Sequence, residues 1–179
     1  MKLRGTILFL TGALAALGAG WLGLPRVMYR SQPQPVDFSH KIHAEKASMK
    51  CDDCHSFRSD GTFAGVPTLD KCAGCHAAPM GDTAIEKHFI EKYVTPQREP
   101  AWLVNARQPV NVYFPHGPHV NRAKLKCERC HQDMAAATSL PAYQQDRIST
   151  YSRHLTSMDA CIACHTENHQ ERSCLDCHK

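Results

Sequence analysis

Apolar residues are concentrated at the start of the chain. The twenty residues from Gly5 to Leu24 include no charged side chain, and a helix of that length spans about 30 Å, the thickness of a bilayer core. Lys2 and Arg4 precede this run, so the positive-inside rule places the N-terminus in the cytoplasm and the body outside. The pattern predicts one membrane-spanning helix. A cleaved signal peptide ending near Gly18-Ala19-Gly20 is the alternative.

The remaining residues predict short helices, long irregular connections and little or no sheet. Residues 31–35 are rich in Pro and Gln and indicate a short extended linker after the apolar helix. We divide the chain into an anchor helix at 1–30, a first half at 31–98, a linker at 99–113 and a second half at 114–179.

The net charge of +4 comes entirely from the first thirty residues, which contain four basic side chains and no acidic one. From Ser31 onward the chain carries 17 basic and 17 acidic side chains and is therefore neutral. A basic surface for nucleic acid is not indicated.

All ten cysteines belong to one recurring pattern, in which two cysteines three positions apart are followed at once by a histidine. This C-x-x-C-H sequence is the attachment signature of c-type haem. Two thiols on one helical turn can each add to a vinyl group of the same porphyrin, and the adjacent histidine then ligates the iron. The five motifs are Cys51, Cys54 and His55; Cys72, Cys75 and His76; Cys127, Cys130 and His131; Cys161, Cys164 and His165; and Cys174, Cys177 and His178.

Other uses of paired cysteines fit this pattern less well. Disulfides need no histidine at a fixed offset, and finding one after all five pairs by chance has odds on the order of one in a million. Zinc ribbons use two C-x-x-C pairs per metal, which five pairs cannot share evenly. We therefore expect five covalent c-type haems, attached in an oxidising extracytoplasmic compartment. Their porphyrin faces would form the buried apolar surface that so weakly apolar a chain cannot form alone.

Seven histidines lie outside the motifs, and their spacing indicates a duplication. The segment from Phe38 to His55 aligns without a gap with the segment from Phe114 to His131, 76 residues later. The two segments match at the Phe, both leading histidines, a lysine, both cysteines and the motif histidine, which is an internal repeat. The seven histidines are His40, His43, His88, His116, His119, His154 and His169.

The order F-x-H-x-x-H followed by C-x-x-C-H resembles the class III multihaem cytochromes c, and residues 114–179 resemble a complete trihaem member. The resemblance implies a mostly α-helical and irregular fold stapled by haem, with two class III-like halves. It also implies that the first leading histidine of each half ligates that half's first haem and the second ligates the next. The implied ligand pairs are His40 with His55, His43 with His76, His116 with His131, His119 with His165, and His154 with His178.

His88 and His169 remain outside these pairs. When the halves are aligned through Cys72 and Cys161, the segment 84–88 falls where a third motif of the first half would lie, with both cysteines replaced. We predict a sixth haem, held by His88 without thioether links and with His169 as its second ligand. The alternative is a lost site whose histidine is now a surface residue.

Two histidines on each iron leave no open position for a substrate, which favours electron transfer over catalysis. A catalytic reductase of the nitrite or hydroxylamine type would need one haem with an open face, often marked by Lys in place of the motif His. Here every motif has its histidine. We therefore expect no catalysis by this chain itself.

The segment between the halves carries a second resemblance, to a smaller group of multihaem cytochromes c. Its order of Pro100-x-Trp102, Arg107-x-Pro109 and Tyr113-Phe114 is similar to that of the membrane-anchored multihaem subunits of alternative complex III and of periplasmic menaquinone reductase complexes. The resemblance implies an electron-transfer subunit at the periplasmic face of the cytoplasmic membrane, served by a soluble periplasmic cytochrome c. Its neighbours would be iron–sulfur and molybdopterin-enzyme-like subunits and a polytopic quinone-binding membrane subunit. Quinol oxidation by an alternative complex III is the other direction that such a subunit can serve.

Overall fold

The computed structural model of the chain describes residues 2–178. Met1, the first residue of the predicted anchor, and Lys179, the last residue of the predicted second half, lie outside the described residues.

The one long helix of the described chain, α1, runs from Lys2 to Met28. Its segment Arg4–Leu24 is long and apolar enough to cross a membrane, and none of that segment is buried against the body. Large apolar side chains such as Phe9 and Trp21 are 73% and 83% exposed. Helix α1 therefore begins close to the predicted apolar run and extends four residues beyond its end at Leu24.

A two-stranded antiparallel sheet follows α1 directly. Strand β1, Tyr29–Gln32, pairs with β2, Tyr143–Asp146, so that Tyr29 lies opposite Asp146. The predicted linker at 31–35 is therefore partly a strand. Beyond it, the Gln34 side-chain amide donates to the Leu103 carbonyl oxygen at 2.8 Å and accepts from the Leu103 N–H at 3.1 Å. These contacts join the segment after α1 to both the second half and the stretch between the halves.

The other helices are short, and connections without regular structure separate most of them, which confirms the predicted fold class. In chain order they are α2, His40–Lys46; α3, Cys51–Cys54; α4, Leu69–His76; α5, Ala84–Phe89, continued by a π-helical turn at Ile90–Val94; a second π-helical turn at Gly117–Arg122; a 3-10 turn at Cys127–Arg129; α6, Met158–Glu167; and α7, Cys174–Cys177.

The apolar core of the described chain is small. It consists of Leu69, Phe89, Ile90 and Tyr93, which bring α4 against α5 and its π-helical continuation. Glu99 supports this packing from 30 residues away, because its carboxylate accepts the Leu69 N–H at 2.9 Å and so caps the N-terminus of α4. A side-chain cap of this kind contributes about 1 kcal/mol of helix stability. The core therefore holds in place the helix that carries the second C-x-x-C-H motif.

Candidate haem-binding sites

Helix α2 presents two histidines to two different motifs. Ser39 caps this helix by accepting the Ile42 N–H at 3.3 Å, and residues three apart on a helix lie on neighbouring positions of one face. The Phe38 ring lies edge-on to the His40 ring, with centroids 4.8 Å apart, and stacks on the His43 ring at 4.4 Å. One aromatic side chain therefore fixes the orientation of both imidazoles.

The second half repeats this arrangement at corresponding positions. The Phe114 ring lies edge-on to the His116 ring at 4.9 Å and stacks on the His119 ring at 4.6 Å. The backbone differs, because Gly117–Arg122 forms a π-helical turn with Pro118 near its start, where the first half has the α-helix α2. The side-chain geometry is thus preserved although the helical turn is wider.

Four leading histidines each lie opposite a motif histidine at nearly the same separation. The ring centroids are 6.4 Å apart for His40 and His55, 6.0 Å for His43 and His76, 6.4 Å for His116 and His131, and 6.1 Å for His119 and His165. A bond from a metal to an imidazole nitrogen is about 2.0 Å and the ring centroid lies about 1.1 Å further, so two axial imidazoles on one metal have centroids about 6.2 Å apart. The four pairs therefore fit bis-histidine haem ligation.

Hydrogen bonds fix which ring nitrogen is free to ligate. The Nδ1–H groups of His43 and His119 donate to the Ser39 and Pro115 carbonyl oxygens, each at 2.8 Å. Those of His55 and His165 donate to the Gly65 and Glu171 carbonyl oxygens, each at 2.7 Å. His76 instead donates from Nδ1 to the carboxylate of Glu86 at 2.7 Å. In all five rings the unprotonated nitrogen is therefore Nε2, the form required of a metal ligand.

The first leading histidine of each half has a lowered pKa, which favours its neutral form. Burial lowers the pKa of His40, and the nearby His55 and His43 lower it further. The pKa of His116 is lowered in the same way by burial and then by His131 and His119. A neutral imidazole can bind a metal without first losing a proton.

The five motifs each form a turn of helix, and none of their cysteines is in a disulfide. Three motifs open such a turn at Cys51, Cys127 and Cys174, whereas the other two lie inside the longer helices α4 and α6. Cysteines three apart on a turn lie on one side of it, which is the arrangement that two thioether bonds to one porphyrin need. Together with the histidine pairs, the donor set fits covalent haem c.

The two halves meet beside the first and third motifs. The Phe63 ring, from the first half, stacks on the His116 ring with centroids 4.2 Å apart. Burial raises the pKa of the Cys51 thiol, and hydrogen-bonded Cys127 raises it further, so these thiols of two motifs are neighbours. Within the second half, an Arg129–Glu167 ion pair of 3.4 Å joins the third motif to α6.

The structure does not bring every candidate ligand together. Within residues 2–178, no ring contact joins His154 to His178, or His88 to His169. The His178 backbone instead bridges to Val112, and the His154 N–H donates to the Ser152 hydroxyl. His88 lines a cavity of about 280 Å³ with Phe89 and Tyr93, whereas His169 lines a different cavity of about 450 Å³ on the second half.

Sequence reasoning missed the residues that orient these ligands. Phe38 and Phe114 were visible as part of the repeat, but their stacking on two rings each was not. Phe63, Gly65 and Glu86 lie eight, ten and ten residues from the nearest motif histidine, and no fixed spacing identifies them. Only the fold shows that they contact a ligand.

The chain is similar to known cytochromes c. Residues 24–101 match the model of the Class III cytochrome C family, and residues 112–179 match that of cytochrome c7 and related cytochrome c. The chain is also similar to a protein of Nitratidesulfovibrio vulgaris described as a menaquinone reductase, multiheme cytochrome c subunit. The two are 36% identical over 190 residues, covering 98% of this chain and 90% of the relative.

Proposed function

This chain belongs to the family of the menaquinone reductase multihaem cytochrome c subunit, and from that premise we propose that it relays electrons between periplasmic redox partners and a membrane complex that reacts with menaquinone. The observation that carries the proposal is the set of four histidine pairs with ring centroids 6.0 to 6.4 Å apart. Two protein ligands on an iron exclude a substrate from it, so the sites suit electron transfer.

The chain's own residues hold these sites rigid. When bound, the haems supply one-electron chemistry by alternating between ferric and ferrous iron. The Phe38 and Phe114 rings keep their neighbouring imidazoles in one orientation. The carbonyl oxygens that accept the Nδ1–H groups of His43 and His55 keep each of these ligands in one tautomer. Little reorganisation is therefore needed when the charge at a site changes.

Contacts between ligand-bearing elements favour one order of sites. Helix α2 joins the first and second motifs, because His40 faces His55 and His43 faces His76. His116 and His119 join the third and fourth motifs in the same way. The contact between Phe63 and His116 connects the first motif to the third. Burial raises the pKa of the Cys161 thiol in the fourth motif, and Cys177 of the fifth raises it further, which favours placing these two motifs next to each other. We infer the order second, first, third, fourth, fifth.

We propose five covalent haems on the ten motif cysteines. His154 stays our prediction for the second ligand of the fifth haem, and a sixth haem on His88 with His169 also stays a prediction. The halves at 31–98 and 114–179 remain our division of the chain.

The proposed location is the periplasmic face of the cytoplasmic membrane, with α1 as an uncleaved anchor. Haem propionates would make the neutral body acidic, which favours partners with basic surfaces, such as a soluble cytochrome c. The name of the relative implies a complex with other subunits. We propose iron–sulfur and molybdopterin-enzyme-like subunits beside this chain and a polytopic quinone-binding subunit in the membrane.

A catalytic reductase is the second candidate, and the fifth motif is the observation that favours it. His178 has no histidine in ring contact in the described part of the chain, so a small ligand could reach an iron at that site. Such an enzyme would reduce nitrite or hydroxylamine there.

Carbon monoxide binding to the dithionite-reduced protein separates the two functions. The relay predicts an unchanged spectrum under carbon monoxide, because in it each iron would have two protein ligands. The variant His119→Ala is the positive control, since it opens one face of the fourth site and should bind carbon monoxide. Binding of one carbon monoxide per wild-type chain, abolished in Cys174→Ala/Cys177→Ala, would contradict the relay and indicate a reaction site at the fifth motif.

A further inference from the structure

Glu86 makes a contact with a haem ligand that no other carboxylate makes in the described chain. Its Oε1 atom accepts the Nδ1–H of His76 at 2.7 Å and the Met80 N–H at 2.7 Å, while Oε2 accepts the Gly81 N–H at 2.9 Å. The other four ligands with a bonded Nδ1 donate to backbone carbonyl oxygens. The second motif therefore differs from the others in the charge behind its histidine.

The fold holds this carboxylate in place. Thr83 caps α5 by accepting the Glu86 N–H at 3.2 Å, which fixes the backbone from which the side chain extends. The Glu86 side chain is only 12% exposed and that of His76 is 24% exposed, so solvent competes weakly for their hydrogen bond. The Phe89 ring lies edge-on to the His76 ring, with centroids 6.2 Å apart.

A carboxylate behind a ligating imidazole changes the metal that the imidazole binds. By accepting the Nδ1 proton, the anion gives the ring imidazolate character and makes Nε2 a stronger donor. A stronger donor stabilises ferric over ferrous iron, and hydrogen bonding to the axial ligand is one of the ways in which a protein sets a haem potential. A neutral carbonyl oxygen has the same effect to a smaller degree.

We propose that Glu86 is a positioning residue that gives the haem on Cys72 and Cys75 the lowest reduction potential in the chain. The inference rests on the proposed relay and deepens it, because it gives the two ends of the proposed order of sites different reduction potentials. The second motif stands at one end of that order, so an electron placed there would be drawn toward the sites of the second half. The segment 84–88, which falls where a third motif of the first half would lie, thus has a role that requires no sixth haem.

The test is a redox titration of the haem-loaded Glu86→Gln variant, followed by electron paramagnetic resonance of the ferric haems. Glutamine keeps an oxygen for His76 but removes the charge. At a fixed solution potential, the ratio of reduced to oxidised iron at this one site should rise about tenfold, equivalent to about 59 mV for one electron. The other sites should keep their midpoints.

Two further variants make the result specific. Glu91→Gln removes the same charge from an exposed position five residues away and should leave every midpoint unchanged. His43→Met alters the ligation of the same haem and identifies its resonance. In the wild-type protein the planes of the His43 and His76 rings are 59° apart, the widest angle among the four pairs, so the resonance of this haem should be distinct.

The outcomes separate this inference from the relay itself. Unchanged midpoints in a fully loaded Glu86→Gln protein would overturn the role of Glu86 and leave the relay intact. Loss of the haem from Glu86→Gln with no midpoint change elsewhere would show a merely structural residue, and would also overturn it. If the wild-type protein lacks a low-spin haem that responds to His43→Met, the bis-histidine relay fails instead.

Discussion

The chain produced without haem is expected to be unfolded. Only five apolar side chains of the described residues are as little as 9% exposed or less, namely Leu69, Phe89, Ile90, Tyr93 and Tyr143. Each fully buried side chain of this size contributes about 1.5 to 3 kcal/mol, whereas ordering the backbone costs about 1 to 2 kcal/mol for every residue. So small a core cannot order a chain of 179 residues, and the haem faces must form the remainder.

Circular dichroism and thermal unfolding of the body from Met28 onward test this expectation. The body made in a host without haem-attachment machinery, and a variant with all ten cysteines changed to serine, should both show no cooperative transition. The same body made with that machinery is the control and should unfold cooperatively. A sharp transition in either haem-free protein would show that the polypeptide core suffices.

Removal of α1 is expected to convert the protein from membrane-bound to soluble. The helix exposes a largely apolar surface that includes Leu8, Leu14 and Trp21, each at least 70% exposed. The transfer of each such side chain out of water is favourable by about 1.5 to 3 kcal/mol, which over the whole helix is far more than thermal energy. A variant that begins at Met28 behind a cleaved leader keeps β1, so the body should fold as before.

Fractionation of cells that express the chain without partner subunits measures this change. The full chain should remain in carbonate-washed membranes, and the variant from Met28 should appear in the periplasmic fraction with its haems. An unrelated transmembrane helix fused to Met28 is the matched control and should restore membrane association. If the full chain is itself found soluble and shortened near Gly20, α1 is a cleaved signal peptide and the anchor is wrong.

The sequence predicts the parts of the site that recur along the chain. The repeat at a 76-residue offset aligns Phe38 with Phe114 and His40 with His116. In the structure the Phe and His rings of the two halves have nearly the same geometry relative to each other. Covalent haem chemistry fixes the spacing within each C-x-x-C-H motif, so the motifs can be recognised from the sequence alone. The apolar run likewise predicts α1, because a helix that buries nothing depends only on local sequence.

What the sequence could not predict depends on distant contacts. Glu86 contacts His76 only because Thr83 starts α5 at a particular place, and Phe63 contacts His116 from more than fifty residues away. The pairing of β1 with β2 joins residues more than a hundred positions apart, and neither strand has a strong alternating pattern. The absence of a ring contact between His154 and His178 among the described residues also had no sequence signal.

The presence of five covalent haems, each with two histidine ligands, can be tested most directly on one sample. Acid–acetone extraction of the purified protein, together with the intact mass of the polypeptide, counts the haems. Electron paramagnetic resonance on the native sample reports their ligation. We predict five haems retained on the polypeptide and ferric signals that are all low-spin. One additional haem released into the acetone would support the cysteine-free site at His88. Fewer than five retained haems, or a high-spin signal from one site or more, would contradict the proposal of five haems with two histidine ligands each.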